Sequence, residues 1–138
     1  MNHPKTPLET PYWILRVAFG AVPVIAGLDK FTNLLVDWTQ YLSPLSKSML
    51  PVSPGAFMGA VGLIEVAVGL AVLTKLPRLG AYTAAAWLAL VAVQVALAGY
   101  FDVAVRDLVM AGAAFTLARL HEERTAGSHR APELTAAR

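Results

Sequence analysis

A single carboxylate in the middle of a long apolar run is the sequence feature with the clearest chemical consequence. Glu65 lies ten residues beyond Gly55 in the run GAFMGAVGLIEVAVGLAVL, which corresponds to about 15 Å along a helix axis. An ionised carboxylate at that depth in a membrane is costly, so we expect it to face other helices and to be paired, hydrated or protonated. Two interpretations stay open: a ligand or proton site, or a buried ion pair that fixes the order of the helices.

A stripe of small and polar residues runs along the first apolar segment. Its members recur at intervals of four and three, the spacing of one helix face: Arg16, Gly20, Pro23, Gly27 and Lys30. We predict that this stripe faces Glu65, because small residues allow a neighbouring helix to approach closely. Pro23 leaves the carbonyl of Phe19 without its helical donor, either as a free acceptor inside the bundle or as the mark of a packing kink.

A second group of polar residues is expected near one end of the apolar segments. Arg106 and Asp107 lie about one turn inside the last segment. The residues expected at a similar depth on other segments are Asp29, Lys30 and Gln94. This group predicts a polar pocket open to one face of the membrane, with mutual neutralisation of charges near the head groups as the alternative. Trp87 shares a helix face with Gln94 and is interpreted as core packing or, less readily, as a stacking platform.

Composition and spacing exclude several classes of chemistry. The chain has no cysteine, so it forms no disulfide and supplies no thiolate to an iron–sulfur cluster. Its histidines and the acidic pair Glu122–Glu123 show no tight ligand spacing, so we predict no metal site. The net charge of +2 comes from scattered residues rather than from a basic run, so nucleic acid is not an expected partner.

The composition predicts that membrane-spanning helices position these residues. Of the 138 residues, 57% are apolar and only 14% are charged, and the mean hydropathy is +0.57. Four helices of about 19 residues, each long enough to cross a bilayer, would use nearly all the apolar residues. We predict an all-α fold, an integral membrane four-helix transmembrane bundle within residues 1–121, with spans at 12–28, 55–73, 79–98 and 103–120. Arg16 and Pro23 interrupt the first span, so we expect it to be retained rather than cleaved as a signal peptide.

The segments between and after the spans are polar or mixed. The long connection, residues 31–54, is predicted to lie outside the membrane at its surface, either with a short amphipathic helix at its start or as a flexible loop. Residues 122–138 are predicted to form a mobile tail. Lysines and arginines near the span ends number seven on the side of the termini and two, Lys30 and Lys47, on the other. This bias predicts that both termini are cytoplasmic.

Four pieces of the sequence, in this order, resemble the DoxX family of small four-helix membrane proteins. They are AGLDKF at the end of the first span, DWTQYLSP in the connection, GLIEVAVGL in the second span and YFDVAVRDLVMAGAAFTLARL in the last. The resemblance extends over about residues 11–121 and implies a protein of the prokaryotic plasma membrane. The characteristic polar positions that it implies are Arg16, Lys30, Glu65, Arg106 and Asp107. It also implies membrane redox work, since the family and its DoxD relatives include a thiosulfate:quinone oxidoreductase subunit and partners of thiol-handling and superoxide-handling proteins.

Three functions follow as hypotheses. The first is an accessory or quinone-interacting subunit of a membrane redox system, in which Glu65 or Arg106 hydrogen-bonds the ring oxygens. The chain shows no haem, flavin or iron–sulfur motif, so it is not expected to be catalytic alone and would need a redox partner protein. The second is a transporter of protons or a small solute, for which a homo-oligomer could supply further spans. The third is a non-enzymatic scaffold that gathers partner proteins through the connection and the tail.

Overall fold

The computed structural model describes residues 7–136, with side chains up to Gly127. Within this part of the chain every regular element is helical, which confirms the predicted all-α class there. The α-helices are α1 (Glu9–Asp29), α2 (Pro44–Met49), α3 (Pro54–Leu73), α4 (Pro77–Leu97) and α5 (Phe101–Ala136), and a 3-10 helix at Trp38–Tyr41 precedes α2.

Serine, proline and glycine residues fix several helix boundaries. Ser43 and Ser53 each accept a hydrogen bond at Oγ from the backbone N–H three residues later, which is the usual role of serine at a helix N-terminus. Pro44 and Pro54 follow them in the first turn, where the helix has no use for the missing N–H. Gly99 closes the turn between α4 and α5 with a φ of 91°, a conformation that favours glycine.

The four long helices form two closely packed pairs, α1 with α3 and α4 with α5, and α3 also packs against α4. Because the connections at 74–76 and 98–100 are short, α3, α4 and α5 alternate in direction. One end of the bundle holds the start of α1, the α3–α4 turn and His121, which contacts Tyr12. We call it the terminal end. The opposite end, which holds Asp29, the start of α3 and residues 31–53, is the connection end.

Glycines set the contact between α1 and α3. A Cβ placed at Gly27 would lie 2.5 Å from the carbonyl oxygen of Gly62, and a Cβ at Gly69 would lie 2.5 Å from that of Gly20. No side chain fits at that separation, so the two backbones touch at two levels. The small residues of the predicted stripe on α1 therefore pack directly on α3.

The terminal half of the bundle is filled by a hydrophobic core. Tyr12, Val72 and Leu117 are wholly buried there, and alanines on α4 and α5 allow these two helices to pack closely. The buried cluster consists of Tyr12, Phe19, Val68, Val72, Ala81, Ala84, Ala114, Leu117 and Ala118. This half of the bundle is therefore a packed interior.

Three of the helices, α1, α3 and α4, are long and apolar enough to cross a membrane, which indicates a membrane protein. The fourth predicted span lies in α5, which carries more charge, at Asp102, Arg106, Asp107 and Arg119. Length and composition alone do not qualify α5 as a span.

Helix α5 is longer than the predicted fourth span. Residues 121–136 continue the helix, whereas we expected a tail from residue 122. The guanidinium of Arg124 binds the carboxylate of Glu9 at 2.8 Å, and this contact holds the first turns of the extension against α1. Residues 137–138, the end of the predicted tail, lie outside the described residues.

The start of the long connection differs from the predicted amphipathic helix. Residues 31–37 form turns and bends, so the amphipathic helix expected at its start is wrong there. The Asp29 carboxylate accepts hydrogen bonds from the backbone N–H groups of Leu34 and Leu35, and Asn33 adopts a left-handed φ of 50°. The Asp29 side chain thus binds backbone N–H groups that would otherwise donate to carbonyls within a helix. Two short helices follow, at Trp38–Tyr41 and at Pro44–Met49.

Candidate functional site

A cavity of about 890 Å³ lies in the connection half of the bundle. All four long helices contribute to its wall, and residues of the connection cover it, so we call residues 31–53 the roof. Six of the eight polar candidates predicted from the sequence line this cavity: Lys30, Glu65, Trp87, Gln94, Arg106 and Asp107. The remaining two, Arg16 and Asp29, have other positions, described below.

The centre of the polar group is an ion pair between α1 and α3. The Lys30 Nζ donates to Glu65 Oε2 at 2.6 Å, and the two side chains are 4% and 15% exposed. Gly62 makes the contact possible, because a Cβ there would lie 3.2 Å from the Cβ of Lys30. The Lys30 end of the predicted stripe therefore does face Glu65, and the carboxylate is paired inside the bundle.

Trp38 of the roof completes the surroundings of Lys30, and it is a site residue that the sequence analysis did not select. The Lys30 Nζ lies 3.6 Å from the centre of the Trp38 ring, a favourable cation–π distance. The Trp38 Nε1 donates to Asp29 Oδ2 at 2.7 Å. Asp29 thus orients the roof rather than lining the cavity. The one available signal was a tryptophan nine residues beyond an aspartate at a helix end.

Arg106 and Asp107 lie beside each other on α5 but differ in environment. In their charged groups, Arg106 Nε and Asp107 Oδ1 are 3.8 Å apart, and their side chains are 66% and 9% exposed. The pair is loose, because neighbouring helical residues point in different directions. Asp107 is buried within electrostatic reach of Glu65, while the Arg106 side chain, which also lines the cavity, is mostly exposed.

Gln94 binds the roof to α4. Its Oε1 accepts a hydrogen bond from Ser46 Oγ at 2.7 Å, and its Nε2 donates to the carbonyl of Tyr41 at 3.5 Å. Both ends of the amide are therefore engaged by the roof. The structure places Gln94 at the cavity as predicted, but as a contact between two elements of the fold.

Trp87 contributes part of the cavity wall at the depth of the ion pair. Gly80 packs on Val72, and counting seven residues onward along these antiparallel helices brings Trp87 level with Glu65. Among the described side chains, Trp87 Nε1 is the buried polar atom without a hydrogen-bond partner. The other two tryptophans of the chain both donate to carboxylates, Trp13 to Glu9 and Trp38 to Asp29.

Arg16 does not face Glu65, which corrects the prediction for the whole stripe. Its guanidinium donates to the carbonyl oxygens of Val72, Leu73 and Thr74 at 3.0, 3.1 and 2.7 Å. These carbonyls end α3 and have no donor within their own helix. Arg16 and Lys30 are 14 residues apart along the chain, or about 21 Å along a helix axis, so Arg16 reaches the C-terminal end of α3 while Lys30 reaches its middle.

A second polar cluster closes the terminal end. The Tyr12 hydroxyl contacts His121 Nδ1 at 3.0 Å and accepts from Arg16 at 3.2 Å, while the Arg124 guanidinium lies 3.9 Å from the centre of the Tyr12 ring. Burial, together with the positive charges of Arg16, Arg124 and Arg78, lowers the pKa of His121. The neutral imidazole is therefore the form that this cluster accommodates, with Tyr12 as its donor.

The cavity is electrically balanced and apolar apart from its few polar groups. Two cations, Lys30 and Arg106, face two anions, Glu65 and Asp107, so a neutral molecule with oxygen atoms fits without leaving a net charge. Among the described side chains, no group of three or more histidine, aspartate or glutamate residues could hold a metal ion. A scan against protein-family models, a search of curated proteins and a search of solved structures each found no match for this chain.

Proposed function

We propose that this chain is a DoxX-like protein that spans the membrane four times and holds a lipid-soluble quinone as an accessory subunit of a membrane redox system. The observation that carries the proposal is the cavity of about 890 Å³ with a balanced polar group at the depth of Glu65. Ligand pockets have volumes of about 300–1,000 Å³, with mostly apolar walls and a few placed polar groups. The resemblance to the DoxX family adds the redox setting.

The outer surface of α5 supports it as the fourth span. Its large exposed hydrophobic residues over the first four turns are Phe101, Val105, Leu108, Val109 and Phe115, and the exposed charged residues there are Asp102 and Arg106. Asp107 is turned inward, so its carboxylate lies in the bundle, where ionisable residues of membrane helices are usually found. Four spans would place both termini on one side, the cytoplasmic side by the excess of cations. Of these cations, Lys5, Arg130 and Arg138 lie outside the residues with described side chains.

The polar residues of the cavity suit a quinone head group. Its ring oxygens accept hydrogen bonds, for which Lys30 and Arg106 offer charged donors. Glu65 and Asp107 offer acceptors for hydroxyl groups. A bound quinone supplies two-electron chemistry, and the residues of this chain bind it, orient it and hold protons beside it. Because the sequence has no motif for another redox group, a partner protein would deliver or receive the electrons.

Transport through the bundle has less support. The path from the cavity to the terminal end passes the packed core, where Tyr12, Val72 and Leu117 are wholly buried. A scaffold role for the roof also has less support, because Trp38 and Tyr41 both line the cavity. The ligand hypothesis uses these contacts directly.

The experiment is quinone retention in lipid nanodiscs that contain added ubiquinone or menaquinone. Wild type, Glu65→Gln and Arg106→Ala are purified at equal amounts of folded protein, and the organic extract is quantified by mass spectrometry. Glu123→Gln and Arg78→Ala serve as matched controls, because both residues lie outside the cavity. We expect the two cavity variants to bind about 10-fold more weakly, the effect of losing a charged hydrogen bond. If wild type retains no more quinone than empty nanodiscs, the proposal is wrong.

A further inference from the structure

Polar contacts join the roof to α1 and to α4 with unequal strength, and the Tyr41 ring also packs on that of Tyr100, with 5.0 Å between the ring centres. The edge at α1 is held by the carboxylate of Asp29, which accepts from Trp38 Nε1 at 2.7 Å and from the backbone N–H groups of Leu34 and Leu35 at 2.9 and 3.2 Å. Hydrogen bonds to a charged group are roughly twice as strong as neutral ones. The cation–π contact of Lys30 adds to the same edge.

The edge at α4 is held by neutral groups. Ser46 Oγ donates to Gln94 Oε1 at 2.7 Å, and Gln94 Nε2 reaches the carbonyl of Tyr41 at the long distance of 3.5 Å. Ser46 Oγ accepts a hydrogen bond from Ser43 Oγ at 2.9 Å, and it donates its own proton to Gln94. Leu42, which is buried and lines the cavity, lies beside this edge.

We infer that the roof is a lid over the cavity, which hinges at Asp29 and opens at the contact between Ser46 and Gln94. Gln94 is then a positioning residue that controls access. The inference rests on the proposed function for the identity of the ligand, but not for the motion. When the contact at α4 breaks, the charged edge at α1 keeps the roof attached, so the cavity opens on one side and closes again without rebuilding the whole connection.

Access to the cavity can be measured without any ligand, because the chain has no cysteine. Val91, a residue of the cavity wall on α4, is replaced by cysteine and its reaction rate with N-ethylmaleimide is followed. We expect Ser46→Ala or Gln94→Met in this background to raise the rate about 5-fold, the effect of losing a neutral hydrogen bond. Ser48→Ala is the matched control, because Ser48 is exposed and its Oγ bonds only to Leu45 within α2.

Two results of this experiment would overturn the lid. One is an equal labelling rate in Ser46→Ala, Ser48→Ala and the parent Val91→Cys protein, which would mean that the contact does not control access. The other is faster hydrogen exchange at the amides of Leu34 and Leu35 in Ser46→Ala. That result would show that the α1 edge loosens too, so the roof would not hinge there.

A cross-link separates the lid from the proposed function. In Ser46→Cys/Gln94→Cys, a short bis-thiosulfonate reagent joins the roof to α4, and exchange of bound menaquinone is measured before and after reduction of the link. We expect exchange to stop in the linked protein and to return on reduction. Unchanged exchange in the linked protein would overturn the lid and leave quinone binding in place. If loss of the Ser46–Gln94 contact raises the labelling rate of Val91→Cys but wild type retains no quinone, the lid is supported and the proposed ligand is wrong.

Discussion

An ammonium and a carboxylate that have both left water stabilise a protein only while both are present, because either one alone is an uncompensated buried charge. Lys30 and Glu65 are such a pair, 2.6 Å apart and mostly buried. The pair fixes the relative height of α1 and α3 at the level of the cavity. It also places two opposite charges in the wall of the cavity.

Replacing one partner of this pair should destabilise the fold much more than replacing both. We expect Glu65→Leu or Lys30→Met alone to lower the free energy of unfolding by about 3 kcal/mol, and the double variant to lie close to wild type, as found for buried ion pairs replaced by apolar residues. Chemical denaturation in detergent micelles measures the three values. A double variant that loses the sum of the two single effects would show that the charges are not coupled.

His121 should make the stability of the protein depend on pH in the weakly acidic range. Its pKa is lowered in the folded protein, first by burial and then by Arg16, Arg124 and Arg78, so the unfolded chain takes up the proton more readily. The stabilisation is complete above the ordinary pKa of 6.5 and is lost as the pH falls from there through the lower pKa of the folded state.

The measurement is unfolding of wild type and His121→Asn between pH 7.5 and 5. Asparagine keeps an acceptor for the Tyr12 hydroxyl but has no titrating group. We expect wild type to lose stability as the pH falls and the variant to change less. Parallel curves for the two proteins would assign the effect to other groups.

At the scale of elements, the contact of α1 with α3 depends on glycine. A Cβ at Gly27 would lie 2.5 Å from the Gly62 carbonyl, whereas a Cβ at Gly112 on α5 would meet nothing within 4 Å. The two positions therefore separate the effect of helix packing from the effect of helix propensity.

The same substitution at these two glycines should have opposite signs. We expect Gly27→Ala to lower the free energy of unfolding by about 2 kcal/mol, because the helices must move apart. Gly112→Ala should leave it unchanged or raise it by up to about 1 kcal/mol, since alanine is the better helix former. Thermal unfolding in detergent compares them, and equal effects would contradict the close packing.

The long helices could be predicted from the sequence because apolar runs and their charged or proline ends are local signals. Predicted spans at 12–28, 55–73 and 79–98 correspond to helices at Glu9–Asp29, Pro54–Leu73 and Pro77–Leu97. The start of the roof could not be predicted, because the Asp29 carboxylate captures the amides of Leu34 and Leu35. These hydrogen bonds depend on the three-dimensional arrangement and leave no periodic pattern in the sequence.

The candidate site was predictable in composition but not in arrangement. Charged and amide residues inside apolar runs stand out in any sequence, and five of them line one cavity. Which of these residues come into contact depends on how far each helix is shifted along its axis relative to its neighbours. Sequence periodicity does not give that shift. Arg16 was therefore assigned to Glu65 although it binds the end of α3. Trp38 and Ser46 lie in the connection, where no period marks their direction.

At the scale of the whole molecule, the path of α5 determines on which side of the membrane the end of the chain lies. If α5 crosses the membrane, residue 127 lies on the same side as the α3–α4 turn. If only α1, α3 and α4 cross, residue 127 lies on the side of the roof. The two topologies therefore predict opposite sides of the membrane for residue 127, and labelling from one side distinguishes them.

Single cysteines in this cysteine-free chain distinguish the two topologies. Ser48→Cys marks the roof, Thr74→Cys marks the α3–α4 turn and Gly127→Cys marks the continuation of α5. We expect a membrane-impermeant maleimide added to right-side-out vesicles to label Ser48→Cys alone, and to label the other two in inverted vesicles. Labelling of Gly127→Cys together with Ser48→Cys would limit the chain to three spans.

The contact of Arg16 with the end of α3 has a consequence for biosynthesis. The carbonyls of Val72, Leu73 and Thr74 find their donor in a side chain made 56 to 58 residues earlier, and in a bilayer an unpaired carbonyl is strongly unfavourable. Because the ribosome produces α1 first, the Arg16 guanidinium is already in the membrane when the α3–α4 hairpin inserts. The order of synthesis thus matches the order in which these groups can be satisfied, and a chain lacking its first helix would insert α3 with an open end.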